Sequence, residues 1–303
     1  MKKYFGCFIL ITLINVNLQA QGIEGTDLPY KISDQKLVPL RSRIDTAFQR
    51  LLAEKLKSNK RWKKLIKEKR MCIGVVDISD PENVKYARVN GNVMMYAASL
   101  PKIAVLLAAM DAIEKGEIKE TNKVKEDLRL MISKSDNGAA TRMIDLLGYD
   151  RIEDVLTDPK YDLYDEEYGG GLWVGKRYAK TGERYPDPLM GLSHAATVSQ
   201  VCRFYYLMAF GKLVSYERSA EMLELMVDPE LHHKFVNTLD KLAPDATFFR
   251  KSGTWKKWHA DSILVWGPKW RRYILVGLIE DYNGEKILRN VVPVVEEVLQ
   301  SLK

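Results

Sequence analysis

The spacing of apolar residues changes several times along the chain, and each change predicts a different kind of element. Segments with apolar residues every three to four positions predict helices, whereas short runs rich in β-branched and aromatic residues predict strands. Helices are predicted over residues 33–68, 99–115, 123–147 with a break near 133–138, 194–227 and 284–302. Strands are predicted over residues 72–78, 84–89, 248–250, 262–266 and 273–279.

The order of these elements predicts the architecture. Strands lie toward both ends of the chain and helices lie between them, which predicts an α/β protein of two lobes. The sheet lobe is expected from residues 35–90 and 246–303, with an all-helical lobe inserted as residues 91–245. Residues 158–192 are rich in Gly, Tyr, Asp and Pro and are predicted to form a long loop, which at that length is usually functional.

The N-terminus has the pattern of a secretory signal peptide. Lys2 and Lys3 precede an apolar stretch over residues 4–16, and the small residue Ala20 follows shortly after. We therefore expect residues 1–20 to be removed and the mature chain to be secreted across the inner membrane, to the periplasm or the outside. No later stretch reaches 18 apolar residues, so no transmembrane anchor is predicted.

The charge of the chain is concentrated in one segment. The net charge is +7, of which the predicted signal carries +2 through its two lysines. Residues 41–70 hold twelve Lys and Arg against three acidic residues. The apolar residues of this segment recur at the spacing of an amphipathic helix. A solvated basic helix face explains this pattern, and no nucleic-acid motif accompanies it. The charge therefore gives no reason to expect a nucleic-acid partner, and we expect a small-molecule partner and a monomer.

Cysteine and histidine give no sign of a metal or a cofactor. Cys72 lies in a predicted strand and Cys202 in a predicted helix, and both are interpreted as buried thiols, although one disulfide stays open. The four histidines are scattered without metal-ligand spacing beyond one adjacent pair. We expect neither a metal nor a cofactor.

The first segment with catalytic chemistry is Ser99-Leu100-Pro101-Lys102. Ser99 and Lys102 stand one helical turn apart at the start of a long apolar helix, so their side chains share a face. A serine hydroxyl becomes a nucleophile when a base takes its proton, and a lysine of lowered pKa can be that base. The same spacing at Ser33 and Lys36 lacks this context.

Two further motifs follow in the chain. Ser135-Asp136-Asn137 taken alone has the composition of a helix N-cap. Lys251-Ser252-Gly253-Thr254 ends an apolar run and precedes two more predicted strands, so it is expected at the edge of a cleft. The alternative Lys180-Thr181-Gly182 lies in the Gly- and Tyr-rich loop with no strand after it, and it is interpreted as a chance match.

In this order and context, the three motifs resemble those of class A β-lactamases and penicillin-binding proteins. The resemblance covers roughly residues 35–303, including the ending of two strands and a helix. It implies one domain over residues 21–303, with an antiparallel sheet flanked by N- and C-terminal helices and an inserted helical lobe.

The resemblance also implies a role for each motif residue. Ser99 would be the acylated nucleophile, Lys102 its base, and Ser135 a proton relay to the leaving nitrogen. Lys251 would keep Lys102 neutral and attract the substrate carboxylate. The remaining roles are substrate binding by Asn137 and Ser252, close approach at Gly253, and an oxyanion hole from the backbone N–H groups of Ser99 and Thr254.

The chain departs from class A enzymes at several positions. Ser135 follows Ser99 by only 36 positions, where class A enzymes have a much longer gap, and Ala260 stands where an arginine often assists carboxylate binding. For the glutamate that activates the deacylating water, Glu167 is the best positional candidate, with Glu166 and Glu183 next.

Three functions therefore stay open. The first is a β-lactamase-like serine hydrolase that opens β-lactam amide bonds. The second is a D-Ala-D-Ala peptidase, or another peptide or ester hydrolase of the same fold. The third is a penicillin-binding protein that is acylated without turnover. A positioned deacylating glutamate would favour the first function over the other two.

Overall fold

The computed structural model describes residues 23–32 and 37–302. The predicted signal peptide and the alternative Ser33–Lys36 pair lie outside these residues. The helices of the described chain are α1 (Thr46–Ser58), α2 (Lys60–Lys67), α3 (Lys102–Glu114), α4 (Asn122–Ser133), α5 (Asn137–Leu147), α6 (Tyr149–Thr157), α7 (Val198–Ala209), α8 (Tyr216–Met226), α9 (Phe235–Leu242) and α10 (Gly284–Ser301). The strands are β1 (Met71–Asp77), β2 (Lys85–Val89), β3 (Met95–Tyr96), β4 (Tyr164–Asp165), β5 (Gly170–Gly171), β6 (Trp173–Val174), β7 (His194–Ala196), β8 (Thr247–Trp255), β9 (Trp258–Trp266) and β10 (Arg272–Glu280).

The main sheet is antiparallel and is built from both ends of the chain, as predicted. Its order is β2-β1-β10-β9-β8. Alternate residues of each inner strand face opposite layers: in β10, Ile274, Val276 and Leu278 join one apolar cluster, whereas Tyr273 and Leu275 join the other. Because both faces are covered, β1 and β10 are apolar nearly throughout and were recognisable from the sequence. β8 and β9 are longer than the predicted strands 248–250 and 262–266, because polar residues such as Lys251 and Asp261 interrupt their apolar runs.

Helices cover the two faces of this sheet. On one face α1, α2, α9 and α10 supply apolar side chains that include Phe48, Phe235 and Val291. On the other face lies α7, whereas α3 packs against α5 and α6, and every residue of α3 from Lys102 to Ile113 is buried. The nearly uniform apolar composition of α3 therefore reflects a helix that is surrounded by protein.

The predicted single helix over residues 33–68 is wrong. A short 3-10 turn at Leu40–Arg43 precedes α1, and Asn59 separates α1 from α2. The Asp45 side chain accepts a hydrogen bond from Phe48 N, and the Asn59 side chain accepts bonds from Arg61 N and Trp62 N. Each side chain therefore caps the start of a new helix, which a periodic apolar pattern alone does not reveal.

The long segment 158–192 is not structureless, contrary to the prediction. It contains the β4–β5 pair and β6, which joins β7 and β3 in a second small sheet. Asp187 is buried within it and accepts hydrogen bonds from Tyr164 Oη and from the backbone N–H groups of Leu189, Met190 and Leu192. A single carboxylate thus orders a turn that composition suggests is irregular. Helices α6 and α9 were also missed.

Cys72 and Cys202 are both buried free thiols, as interpreted from the sequence. None of the helices within the described residues is both long and apolar enough to cross a membrane. Over the same part of the chain, no group of three or more His, Cys, Asp or Glu side chains is placed to hold a metal ion.

Candidate active site

Ser99 lies in the turn that leads into α3. The turn is fixed by hydrogen bonds from Ala97 N to His194 O at 2.9 Å and from Lys102 N to Ser99 O at 3.3 Å. Ala98 has a left-handed backbone with φ of 52°. Regular helix begins at Lys102, because Pro101 lacks a backbone N–H and its φ of −64° suits a helix start. Ser99 is half-buried, and its neighbours in the turn are buried.

Lys102 reaches from α3 into a polar pocket although its side chain is fully buried. Its Nζ donates to Ser135 O at 2.6 Å, to Asn137 Oδ1 at 2.8 Å and to Ser135 Oγ at 3.4 Å. Among the described residues, the Ser99 hydroxyl itself makes no hydrogen bond. Catalytic hydrogen bonds often tighten only when substrate binds. The absence of a hydrogen bond to the Ser99 hydroxyl therefore does not exclude Ser99 from the site.

Ser135 stands between α4 and α5 in a left-handed conformation, with φ of 57°. Asp136 caps α5 by accepting a hydrogen bond from Ala139 N at 2.6 Å, so the helix-cap interpretation of this motif also holds. The Ser135 hydroxyl accepts a hydrogen bond from Lys251 Nζ at 2.9 Å as well as the longer one from Lys102. It therefore bridges the two lysines.

Lys251 comes from the middle of β8 and is almost fully buried. Its Nζ also donates to Ser252 O at 3.1 Å, and its carbonyl accepts a hydrogen bond from Ser262 Oγ on β9. Lys180, in the alternative motif, is exposed in the loop. The structure thus brings Lys102, Ser135, Asn137 and Lys251 into one hydrogen-bonded cluster.

Gly253 brings β8 against the backbone of the Ser99 turn. A Cβ atom at this position would lie 2.3 Å from Ala97 O and 2.6 Å from Ser99 N, so any side chain would force the two segments apart. Ser252 is buried beside it, and Thr254, the next residue along β8, is exposed. The strand edge and the N–H of Ser99 therefore lie close enough to act on one substrate group.

A second charged cluster lies behind β8, and sequence reasoning missed it. Arg250 forms a two-point ion pair with Asp261, with distances of 2.7 and 3.0 Å, and both side chains are buried. Lys234, just before α9, is fully buried and donates to Gly253 O at 2.7 Å and to Ala260 O at 2.9 Å. Lys234 thus contacts the backbone of β8 and β9 from another element, and no local motif signals it.

His233 is another residue that the sequence did not single out. Its Nε2 lies 3.1 Å from Ser252 Oγ, and its carbonyl accepts a hydrogen bond from Arg250. Burial, then the charges of Arg250 and Lys234, lower its pKa to about 4, so the ring is neutral near pH 7. His233 can therefore orient the Ser252 hydroxyl without adding charge. The adjacent pair His232-His233 was visible in the sequence, but only as a weak metal signal.

The cluster lowers the pKa of its own lysines. Burial lowers the pKa of Lys102 to about 7, against an opposing effect of Asp136. Burial also holds the pKa of Lys251 well below its usual value, helped by the charges of Lys102, Arg250 and Lys234. A lysine of this kind is neutral in a substantial fraction of molecules near pH 7 and can accept a proton.

Glu167 is not part of this cluster. It lies exposed on a 3-10 turn over Glu166–Tyr168, and its backbone N–H donates to Asp165. Within the described residues, no hydrogen bond joins Glu167 to Ser99, Lys102 or Ser135. Glu166 and Glu183 are exposed as well. The side chain of the long segment that meets Lys102 is Tyr178, whose ring centre lies 4.5 Å from Lys102 Nζ.

This chain matches a known protein family in sequence and is similar in fold to solved structures. The model of the Beta-lactamase enzyme family matches residues 57–128 and 121–292. No curated protein matches the sequence. A β-lactamase from Sphaerobacter thermophilus is similar in structure, with a TM-score of 0.63 and 16% identity over 82% of this chain and 94% of that one. A mutant of PBP-A, solved as an acyl-enzyme complex with penicillin G, has a TM-score of 0.64 and 18% identity over 88% and 100% of the two chains.

Proposed function

Because the chain belongs to the Beta-lactamase enzyme family, we propose that it is an exported serine hydrolase that opens the amide bond of β-lactams through an acyl-enzyme at Ser99. The observation that carries the proposal is the Ser135 hydroxyl, which accepts hydrogen bonds from both Lys102 and Lys251. Two buried lysines joined through one serine form a path for the proton that acylation must move.

Acylation would proceed with a complete proton balance. Neutral Lys102 takes the Ser99 hydroxyl proton as Ser99 Oγ bonds to the β-lactam carbonyl carbon. The backbone N–H groups of Ser99 and Thr254 stabilise the oxyanion. The carbon–nitrogen bond then breaks, and the nitrogen receives a proton through the Ser135 hydroxyl, which Lys251 helps to position. The step needs no cofactor or metal ion.

Substrate recognition would follow from the same strand edge. β-Lactams carry a carboxylate, whose negative charge would favour the protonated form of Lys251, and the resulting ammonium would bind it together with the Ser252 hydroxyl. Asn137 would bind the acyl-amide group, and it can do so by exchanging its present bond to Lys102. Gly253 would keep this strand edge beside Ser99, because its missing side chain lets β8 lie against the Ser99 turn. We place the mature chain, residues 21–303, in the periplasm or outside the cell as a single-domain monomer.

A second candidate is a penicillin-binding protein that is acylated but turns over slowly, or a peptidase or esterase acting on cell-wall peptides. The observation that favours it is the neighbour of Lys102 in the long segment, which is the phenol Tyr178 rather than a carboxylate. Fast hydrolysis of the acyl-enzyme needs a base for the attacking water. Glu167 would have to move from its exposed position to supply one.

The test measures both acylation and turnover with the mature chain. Incubation with penicillin G should give a covalent adduct by intact-protein mass spectrometry, and Ser99→Ala should abolish it. Lys251→Ala should also lose the adduct, whereas the matched Lys180→Ala should retain it. An adduct that persists in Ser99→Ala would refute the assignment of the nucleophile.

Nitrocefin turnover then separates the two candidates. Sustained hydrolysis without accumulated adduct supports the β-lactam hydrolase. A single burst followed by a stable adduct supports the slow-turnover alternative. Glu167→Gln extends the comparison, since it should lengthen the adduct lifetime only where Glu167 activates the water.

A further inference from the structure

Tyr178 covers the base of the proposed reaction. Its ring centre lies 4.5 Å from Lys102 Nζ, within the range of a cation–π contact. Its hydroxyl donates to Ala98 O at 3.2 Å, the carbonyl immediately before Ser99. The side chain therefore touches Lys102 with its face and the nucleophile's turn with its polar end.

The loop that carries Tyr178 is fixed at both ends. Gly175 N donates to Ser193 O and Tyr185 N donates to Gly175 O, both at 2.7 Å. The ring of Tyr185 stacks in parallel between those of Trp173 and Tyr149, with an interplanar angle of 4° on each side. Tyr178 is thus held in place over Lys102 by a closed loop with a rigid base.

A neutral aromatic wall supports the ring from behind. The His194 ring centre lies 4.3 Å from that of Tyr178, and Tyr96 meets His194 edge-on at 6.0 Å. His194 Nε2 lies 3.0 Å from Lys176 O, so this nitrogen carries the proton. Burial lowers the His194 pKa to about 4, and burial holds the Tyr178 pKa well above its usual value. Both rings therefore stay uncharged from weakly acidic to weakly basic pH.

The other groups facing Lys102 come from three elements. Ser135 and Asp136 lie at the α4–α5 junction, Asn137 begins α5, and Lys251 comes from β8. Ser135 O, Ser135 Oγ and Asn137 Oδ1 accept the three protons of the ammonium, while the Tyr178 ring occupies another side. One carboxylate, Asp136, raises the Lys102 pKa against the larger effect of burial. Removing the ring would admit water to the amine and reduce that burial.

We propose that Tyr178 is a positioning residue that shields the Lys102 amine from water and so keeps it ready to accept the Ser99 proton. The inference rests on the proposed role of Lys102 in acylation. Because the shield works through the bulk of the ring, Tyr178→Phe should preserve it. Tyr178→Ala should remove it, and Tyr178→Gln should replace the apolar face with one that binds water.

The first measurement is independent of any substrate. NMR titration of isotopically labelled lysine side chains, with Lys102 assigned from a Lys102→Arg variant, gives the pKa of the amine. We expect Tyr178→Ala and Tyr178→Gln to raise it by about one unit or more, because hydration favours the charged form. Tyr178→Phe should leave it where the wild type has it. An unchanged or lowered pKa in folded Tyr178→Ala or Tyr178→Gln would overturn the proposal, since a lowered pKa would mean that the ring acts through its cation–π attraction for the ammonium.

The second measurement links the shield to the reaction. The acidic limb of the penicillin acylation rate should move to higher pH in Tyr178→Ala and Tyr178→Gln by the same shift that NMR records. A mere loss of structure would lower the rate at every pH and leave the limb in place, which would count against the proposal. A wild type that penicillin never acylates, with the NMR shift still present, would refute the proposed function and leave the shielding role standing.

Discussion

Lys234 should make the free energy of unfolding of this protein rise with pH above about 7. Its side chain is fully buried, and its Nζ donates to the carbonyls of Gly253 and Ala260 behind the strand that carries Lys251. Burial lowers its pKa from 10.5 to about 7, with Asp261 acting in the opposite direction and Arg250 in the same one. A free lysine in the unfolded chain keeps its ordinary value.

The sign follows from proton counting. Between the folded value of about 7 and the unfolded value of 10.5, the unfolded chain binds a proton at Lys234 that the folded chain lacks. The free energy of unfolding therefore rises with pH in this window, and the penalty for burying the cation is fully present below it. Integration over about pH 7 to about pH 8.5 gives a contribution of about 1.6 kcal/mol from this one residue.

Urea unfolding of wild type and Lys234→Met across that range isolates the contribution. Burial also raises the pKa of the Cys72 and Cys202 thiols, but both thiols are present in the two proteins and their effects cancel. The stability difference between wild type and variant should grow by about 1.6 kcal/mol in favour of wild type. Lys57→Met, the same change at an exposed lysine of α1, should run parallel to wild type. A constant difference for Lys234→Met would refute the reasoning.

Two further substitutions test how the fold supports the site. Gly253→Ala places a Cβ 2.3 Å from Ala97 O, so β8 must shift, and acylation by penicillin G should fall by about 100-fold; an unchanged rate would show that the strand and the Ser99 turn can separate freely. Asp111→Asn replaces a buried carboxylate of α3 with a neutral amide, about 13 Å along the helix from Lys102. The carboxylate forms ion pairs with Arg151 and Lys115 and accepts a hydrogen bond from Tyr161. The substitution should lower the unfolding free energy by about 3 kcal/mol while the acylation rate of the folded protein stays unchanged, and a slower rate in the folded fraction would contradict that separation.

The sequence was sufficient for the parts of the site that local context defines. Ser99 was recognisable because a serine, a proline and a long apolar run coincide at a helix start. Lys251 was separated from Lys180 because only Lys251 ends an apolar run and precedes two more predicted strands, although in the structure it lies in the middle of β8. In both positions the backbone element and the chemistry are encoded by the same few residues, so a single sequence carries the information.

The residues that were missed reach the site through long-range packing. Tyr178 lies in a loop whose position depends on the ring stack of Trp173, Tyr185 and Tyr149. Lys234 reaches the carbonyls of Gly253 and Ala260 from the residue before α9, a helix that was itself not predicted. The neighbouring residues in the sequence do not predict where such side chains will lie. The break at Asn59 is a different case, because its capping residue was visible and the apolar periodicity concealed it.

Three of the nine non-glycine residues with positive φ in the described chain lie in or beside the cluster. Ala98, Ser135 and Lys234 all have left-handed φ values, between 52° and 57°, although none of them is glycine. Such conformations cost about 1 kcal/mol or more each and persist where the surroundings enforce them. Here they set the Ser99 turn, direct the Ser135 hydroxyl between two lysines and seat a third lysine behind β8. The same segment of structure also gathers Lys102, Lys251, Lys234 and Arg250 around few carboxylates, which weakens folding further. Strained backbone and several basic side chains at one place both lower the stability of the fold, so stability does not explain their presence. An anionic substrate with a developing oxyanion would offset the positive charge.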